Sequence, residues 1–165
     1  MSEIRIRKRR RLREKEIRAL GEEIRSRLGV EAFTPGEAVD RGESTEYDVL
    51  FIGNKVLGIV YKGKAFLTVR GLLKYPAAKA HVTVDMGAVP FVTKGADVMG
   101  PGIVDADITI APGDLVWVKD VKHGRPLMIG EALVSGDHMM TKSPGKAIKS
   151  IHHVADKLWK VDEDS

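Results

Sequence analysis

The 165-residue chain contains no cysteine, which excludes a disulfide framework and any thiolate zinc site. It contains no run of about eighteen apolar residues, so no membrane-spanning helix is expected and no membrane partner. Its start is charged and lacks an apolar core segment, which argues against a secretory signal. The expectation is a soluble cytoplasmic protein. Aromatic residues are scarce, at 5% of the chain, and from His81 onward the large rings are Phe91, Trp117 and Trp159. A surface that stacks on bases would have few rings to draw on.

The usual catalytic patterns are missing as well. The histidines, His81, His123, His138, His152 and His153, show no HExxH or comparable ligand spacing, so no metal is expected. Ser135, Ser143 and Ser150 sit in no nucleophile elbow, and the stretch from Met1 to Lys74 holds no nucleophile or cofactor motif. The glycine-rich VTKGADVMGPGI has neither the GxxxxGK[ST] nor the GxGxxG spacing of a nucleotide-binding loop. No catalytic residue and no cofactor are therefore expected, and the chain reads as a non-enzyme.

What the chain does have is charge, unevenly placed. The net charge is +4, but the first 28 residues hold 11 Lys/Arg against 5 Asp/Glu, leaving 16 against 18 for Gly29 to Ser165. Phosphate affinity depends on clustered cations rather than on total charge, so the excess matters at one end only. Within that end Ile4 to Arg13 begins with strand-like alternation and continues as a basic run. It is open to two readings, an RNA-contacting arm or a solvated face.

From Glu14 the period becomes helical. Ile17, Leu20, Ile24 and Leu28 share one stripe, Gly29 is placed to end the helix, and Glu14–Arg18 and Glu23–Arg27 stand four apart in the supporting orientation. Val30 to Phe33 closes at the turn Thr34-Pro35-Gly36, and the polar EAVDRGESTEYD, Glu37 to Asp48, predicts a loop or an edge segment. Val49 to Ile52, Val56 to Tyr61 and Ala65 to Val69, separated by tight turns, predict an antiparallel meander covered by the helix. Pro76 and the small residues after it mark a joint near Ala77 to Ala80.

The second half predicts short strands at His81 to Val84, Ile103 to Ile110, Leu115 to Val121 and Leu127 to Val134, with a turn-like or helical crossing over Thr93 to Met99. Ser135 to Lys146 is expected to be a loop with one helical turn. Ala147 to Val154 fits a strand or a helix. Strands at this spacing favour a barrel or sandwich. His152 and His153 would then point to opposite faces, one inward and hydrogen-bonded.

The central stretch runs from Val84 to Ile110. Gly95, Gly100 and Gly102 with Pro101 give a backbone that another surface could approach closely, or a set of tight barrel corners. Its pattern VDxGAxxFVxxGAxxMxPGI, with GKAIKSIHHVADKLW from Gly145 to Trp159 and LLKYP from Leu72 to Pro76, resembles the RNA-binding PUA domain as found in archaeal members of the malignant T-cell-amplified sequence family. The resemblance implies an α+β chain, a small N-terminal α/β domain over 1–78 and a PUA-like β pseudo-barrel over 79–165, and it makes Ala147 to Val154 a strand. It implies contact with RNA, ribosomal RNA or tRNA, in translation initiation or ribosome recycling. The small ribosomal subunit and a protein partner for the N-terminal domain are the further partners. The candidate RNA-binding residues are Lys94, Gly95, Ala96, Met99, Gly100, Pro101 and Gly102 on the crossing, and Lys142, Lys146, Lys149 and His152 near the closing segment. Lysines would neutralise phosphates, glycine amides would donate to phosphate oxygens, and apolar surface would accept an unstacked base. Trp159 is expected to pack against the barrel. The alternatives are a targeting module for an RNA-modifying enzyme and a protein-interaction adaptor.

Overall fold

A computed structural model describes residues 3–163; Met1, Ser2 and the last two residues of the acidic tail, Asp164 and Ser165, lie outside the described residues. The chain forms two compact units, Met1–Ala78 with the residues from Lys157 on, and Lys79–Asp156.

The first unit contains β1 (Arg7–Arg11), α1 (Glu14–Leu28), β2 (Val39–Glu43), β3 (Asp48–Ile52), β4 (Lys55–Tyr61), β5 (Lys64–Leu67) and α2 (Val69–Lys74). Its five strands pair antiparallel in sequence order. The α1 stripe Ile17, Leu20, Ile24 and Leu28 is buried as the period requires, and the helix stops where Gly29 takes a φ of 66°. The Glu23–Arg27 pair forms at 3.0 Å.

Two expectations are corrected here. The strand near the start is not the alternating IRIR but the basic run itself, and the polar Asp40–Glu43 stretch is an inner strand rather than a loop or edge. Both become possible because acidic residues stand among the cations. Asp40 lies opposite Arg11 and accepts from Arg11 Nε at 2.5 Å and from Arg9 Nε at 2.8 Å. Arg10 and Arg41 face each other across the pair, a repulsive contact, but each has its own carboxylate, Glu16 for Arg10 and Asp48 for Arg41. The third extended piece also ends early, at Leu67, because Thr68 caps α2: its Oγ1 accepts from Gly71 N at 3.0 Å and donates to the Val56 carbonyl at 2.9 Å.

The second unit contains β6 (His81–Val84), α3 (Val89–Val92), β7 (Val98–Met99), a 3₁₀ turn (Gly100–Gly102), β8 (Ile103–Ala106), β9 (Leu115–Asp120), β10 (Pro126–Ala132), α4 (Gly136–Met140) and β11 (Lys146–His153). The sheet order is β7-β11-β10-β9-β6-β8. A flat sheet of that order would put its two edge strands about 24 Å apart, at ~4.8 Å per neighbour. Yet β7 and β8 are joined by Gly100–Gly102 alone, a link that spans at most about 14 Å. The sheet must therefore curl until its edges nearly meet, a β pseudo-barrel with the glycine-proline-glycine turn at its seam. Val82, Val84, Val118, Met128 and Ile148 fill the interior without exposure.

The closing segment is a strand, β11, as the resemblance implied. The strand expected over Ile103 to Ile110 ends at Ala106, because the Asp107 carboxylate turns the chain by accepting from Ala80 N and from Thr109 N and Oγ1. The crossing also differs: its helical turn, α3, precedes Thr93 and includes Phe91.

The last helix, α5 (Trp159–Glu163), belongs to the first unit, although 79–165 was expected to form one domain. Asp162 Oδ1 accepts from Val56 N at 2.7 Å, and the Trp159 ring lies 3.7 Å beneath the Arg70 guanidinium. Trp159 is thus held by a cation–π contact in this unit, where packing on the barrel was expected.

Candidate nucleic-acid interface

The site is built outward from the barrel seam. Gly100 donates its N–H to the Gly145 carbonyl at 2.9 Å, and the Ser143 carbonyl occupies the place where a side chain on Gly100 would begin. Glycine is required there by close approach rather than by φ. Beyond it, the Gly102 carbonyl accepts from Asp85 N at 2.9 Å, and Asp85 Oδ1 accepts from Ala88 N at 2.9 Å, which turns the chain into α3. After α3, Gly95 has a φ of 93°, and the His153 ring edge lies 2.9 Å from where a Cβ would stand.

These contacts overturn the expected amide role at Gly95 and Gly100. The amides of Lys94 and Ala96 donate to the Phe91 carbonyl, that of Gly95 to Val92 and that of Gly100 to Gly145. They are occupied within the fold and cannot form a phosphate cradle. Gly100 is itself buried. His152 is likewise withdrawn as an RNA contact. It is 1% exposed and its Nδ1 is held by the Asp156 carboxylate at 2.9 Å. It is the inward member of the histidine pair.

What the seam does present is an open groove of about 660 Å³, lined among others by Ala88, Phe91, Met99, Pro101, Gly102 and Lys146. Phe91 is 66% exposed and Met99 47%, unusual values for large apolar side chains standing together. Lys94, Lys142, Lys146 and Lys149 are all exposed, and Lys146 lines the groove. Asp85 and Asp97 stand in the same lining. Asp97 Oδ1 accepts from Ser150 N at 2.8 Å, and Lys146 Nζ lies 3.2 Å from Oδ2. The Ser150 amide first, and Lys146 against the opposing effect of burial, hold the Asp97 carboxyl below the usual range. Asp97 therefore ties the crossing to β11 and fixes one of the lysines over the groove.

The sequence pointed to Met99 and the lysines but not to Phe91 or Asp97 as site residues. The FV pair inside the motif was the available signal for Phe91, since an aromatic beside a glycine-rich crossing has little core to enter. Trp117 is no stacking platform, being 6% exposed with its indole N–H on the Lys79 carbonyl at 2.8 Å. Among the described residues no cluster of three His, Asp or Glu could hold a metal ion, and no helix is long and apolar enough to cross a membrane.

The nearly closed, barrel-like sheet is consistent with a PUA domain, and the family model of that description matches residues 80–154. An uncharacterized protein of Methanocaldococcus jannaschii is 36% identical over 156 residues, covering 93% of this chain and 96% of that protein. Translation machinery-associated protein 20 of Eremothecium gossypii is 30% identical over 122 residues, covering 70% and 67%. The crystal structure of a hypothetical protein from Pyrococcus horikoshii superposes with a TM-score of 0.81 at 36% identity, covering 94% of this chain and 99% of that one. The chain belongs to the family of PUA-domain proteins that includes translation machinery-associated protein 20 and the malignant T-cell-amplified sequence proteins. Possession of a PUA domain points to RNA binding.

Proposed function

We propose that the chain is a non-enzymatic RNA-binding protein that meets ribosomal RNA or tRNA during translation initiation or ribosome recycling. The observation that carries this is the exposed Phe91–Met99 platform at the seam with Lys146 in the same lining. An unstacked base rests on Phe91, Met99 and Pro101. Lys94, Lys142, Lys146 and Lys149 neutralise the flanking phosphates. Gly95, Ala96 and Gly100 serve by shape, keeping the groove open, rather than by their amides, and Gly102 stands in the groove lining. The names of the relatives favour the translation machinery, with the small ribosomal subunit as the RNA-bearing partner and the N-terminal unit as the surface for a protein partner.

Sedimentation with purified small ribosomal subunits across a salt series tests this reading. Wild-type protein co-sediments, and its affinity falls steeply with salt. The triple variant Lys94→Gln/Lys146→Gln/Lys149→Gln binds several-fold more weakly, with a log–log salt slope shallower by roughly 2, at ~0.7 per phosphate contact on single-stranded RNA. Unchanged binding by that variant contradicts the site. A flat salt response in the wild type favours a protein-interaction adaptor.

A further inference from the structure

The first unit carries a second cationic feature that the groove does not use. All five residues of β1 are basic and exposed, and β1 is the outer strand of its sheet. Its cations divide by what they touch. Arg9 is spent on structure: Nε bonds Asp40, Nη2 bonds the Gly53 carbonyl at 2.7 Å, and the guanidinium lies 3.9 Å over the Phe51 ring. Arg10 gives both Nη groups to Glu16, whose carboxyl is pulled down to about 2 by that hydrogen bond and by the Arg13 amide. Arg11 differs. It bonds Asp40 through Nε alone, its side chain is 65% exposed, and neither Nη group bonds another described residue. Arg5, Arg7 and Lys8 are exposed and form no ion pair among the described residues.

Asp40 is itself well placed for a positioning role. Its side chain is 17% exposed, and although burial pushes its carboxyl upward, the hydrogen bonds from Arg11 and Arg9 outweigh that and hold it below the ordinary range. An ionised carboxylate on Nε leaves the planar Nη edge of Arg11 directed away from it, with the side chain already immobilised. That edge is the bidentate donor that fits phosphate oxygens.

We propose that β1, with Arg5 just before it, is a second phosphate-binding surface, used on RNA, in which Arg5, Arg7 and Lys8 supply charge and Asp40 positions the guanidinium of Arg11. The choice of RNA rests on the function proposed above; the geometry of the site does not. Composition separates RNA from an acidic protein as the occupant. A protein interface needs an apolar, charge-depleted centre, and Arg-Lys-Arg-Arg-Arg offers none, whereas nucleic-acid interfaces are polar and strongly positive. Within the groove Lys146 is already paired to Asp97, which leaves its charge partly spent.

Fluorescence anisotropy with the full chain and a labelled single-stranded RNA oligonucleotide tests the proposal, with a labelled oligoglutamate peptide run in parallel. Arg7→Gln/Arg11→Gln is expected to weaken RNA binding about tenfold at low salt and to flatten the salt slope by about 1.4, at ~0.7 for each lost contact. Asp40→Asn removes a negative charge, so bulk electrostatics alone would tighten binding; the proposal expects it to weaken about threefold. Arg11→Lys keeps the charge but loses the fork, and the same weakening is expected. Melting temperatures of all variants exclude unfolding as the cause.

RNA binding unchanged in Arg7→Gln/Arg11→Gln, or unchanged or tighter in both Asp40→Asn and Arg11→Lys, overturns the proposal. So does oligoglutamate binding that equals RNA binding. Loss of affinity in Phe91→Ala with no loss in the β1 variants overturns this inference alone. Absence of RNA binding by the wild type overturns both it and the proposed function.

Discussion

Phe91→Ala lowers the affinity for single-stranded RNA by roughly 5- to 150-fold, corresponding to the ~1–3 kcal/mol that a stacked base contributes on an aromatic ring. The melting temperature stays close to that of the wild type. Phe91 is 66% exposed, so its ring gives little to the core, and the contacts that shape the crossing use its carbonyl, which alanine retains. The loss is also independent of salt, since no counterion is released by a stacked base. In this it differs from the lysine variants, whose deficit shrinks as salt rises. Equilibrium binding measured at two salt concentrations, beside a thermal melt, checks all three statements. A ring that supported the barrel instead would lower the melting temperature and leave affinity per folded molecule unchanged.

Gly100→Ala has the largest expected effect on stability. A methyl group on Gly100 collides with the Ser143 carbonyl, which is backbone and cannot swing aside as a side chain could. Overpacking of this kind costs about 1–3 kcal/mol or more, and a chain of this length loses about 2–4 °C of melting temperature per kcal/mol. A fall of roughly 2–12 °C is expected. Because relief requires β7 and the turn to move away from the Ser143–Gly145 loop, the seam opens and RNA affinity falls with stability. Gly124→Ala is the control. Its φ of 67° makes alanine strained by about 1 kcal/mol, but nothing lies within 4 Å of the added Cβ, and it is remote in sequence from the groove. It destabilises slightly and leaves affinity unchanged. Calorimetry and anisotropy on the two variants separate close approach from backbone conformation.

These two positions also show what could be seen in the chain before its fold was known. Helix α1 was legible because its apolar stripe, its cap glycine and its ion pairs all repeat at one local period. The β3–β5 meander was legible from alternation between tight turns. Strand β2 was hidden because Asp40 and Arg41 are compensated by residues 29 positions earlier and 7 later, and local polarity cannot reveal a distant partner. The groove was legible as a motif and not as a mechanism. Glycines in the crossing imply free amides only until the carbonyls of Phe91, Val92 and Gly145 are placed against them. His152 failed for the same reason, since alternation in a strand says that one histidine of the pair turns inward without saying which.

The central claim is that RNA lies in the seam groove, and an ¹H–¹⁵N correlation spectrum of the full chain titrated with a short single-stranded RNA tests it most directly. The account predicts progressive shifts grouped at Ala88–Met99, Gly102 and Lys146–Ser150, with a separate smaller set on β1. Shifts that leave the Phe91 and Lys94 amides unmoved while other surfaces of the barrel respond would contradict it.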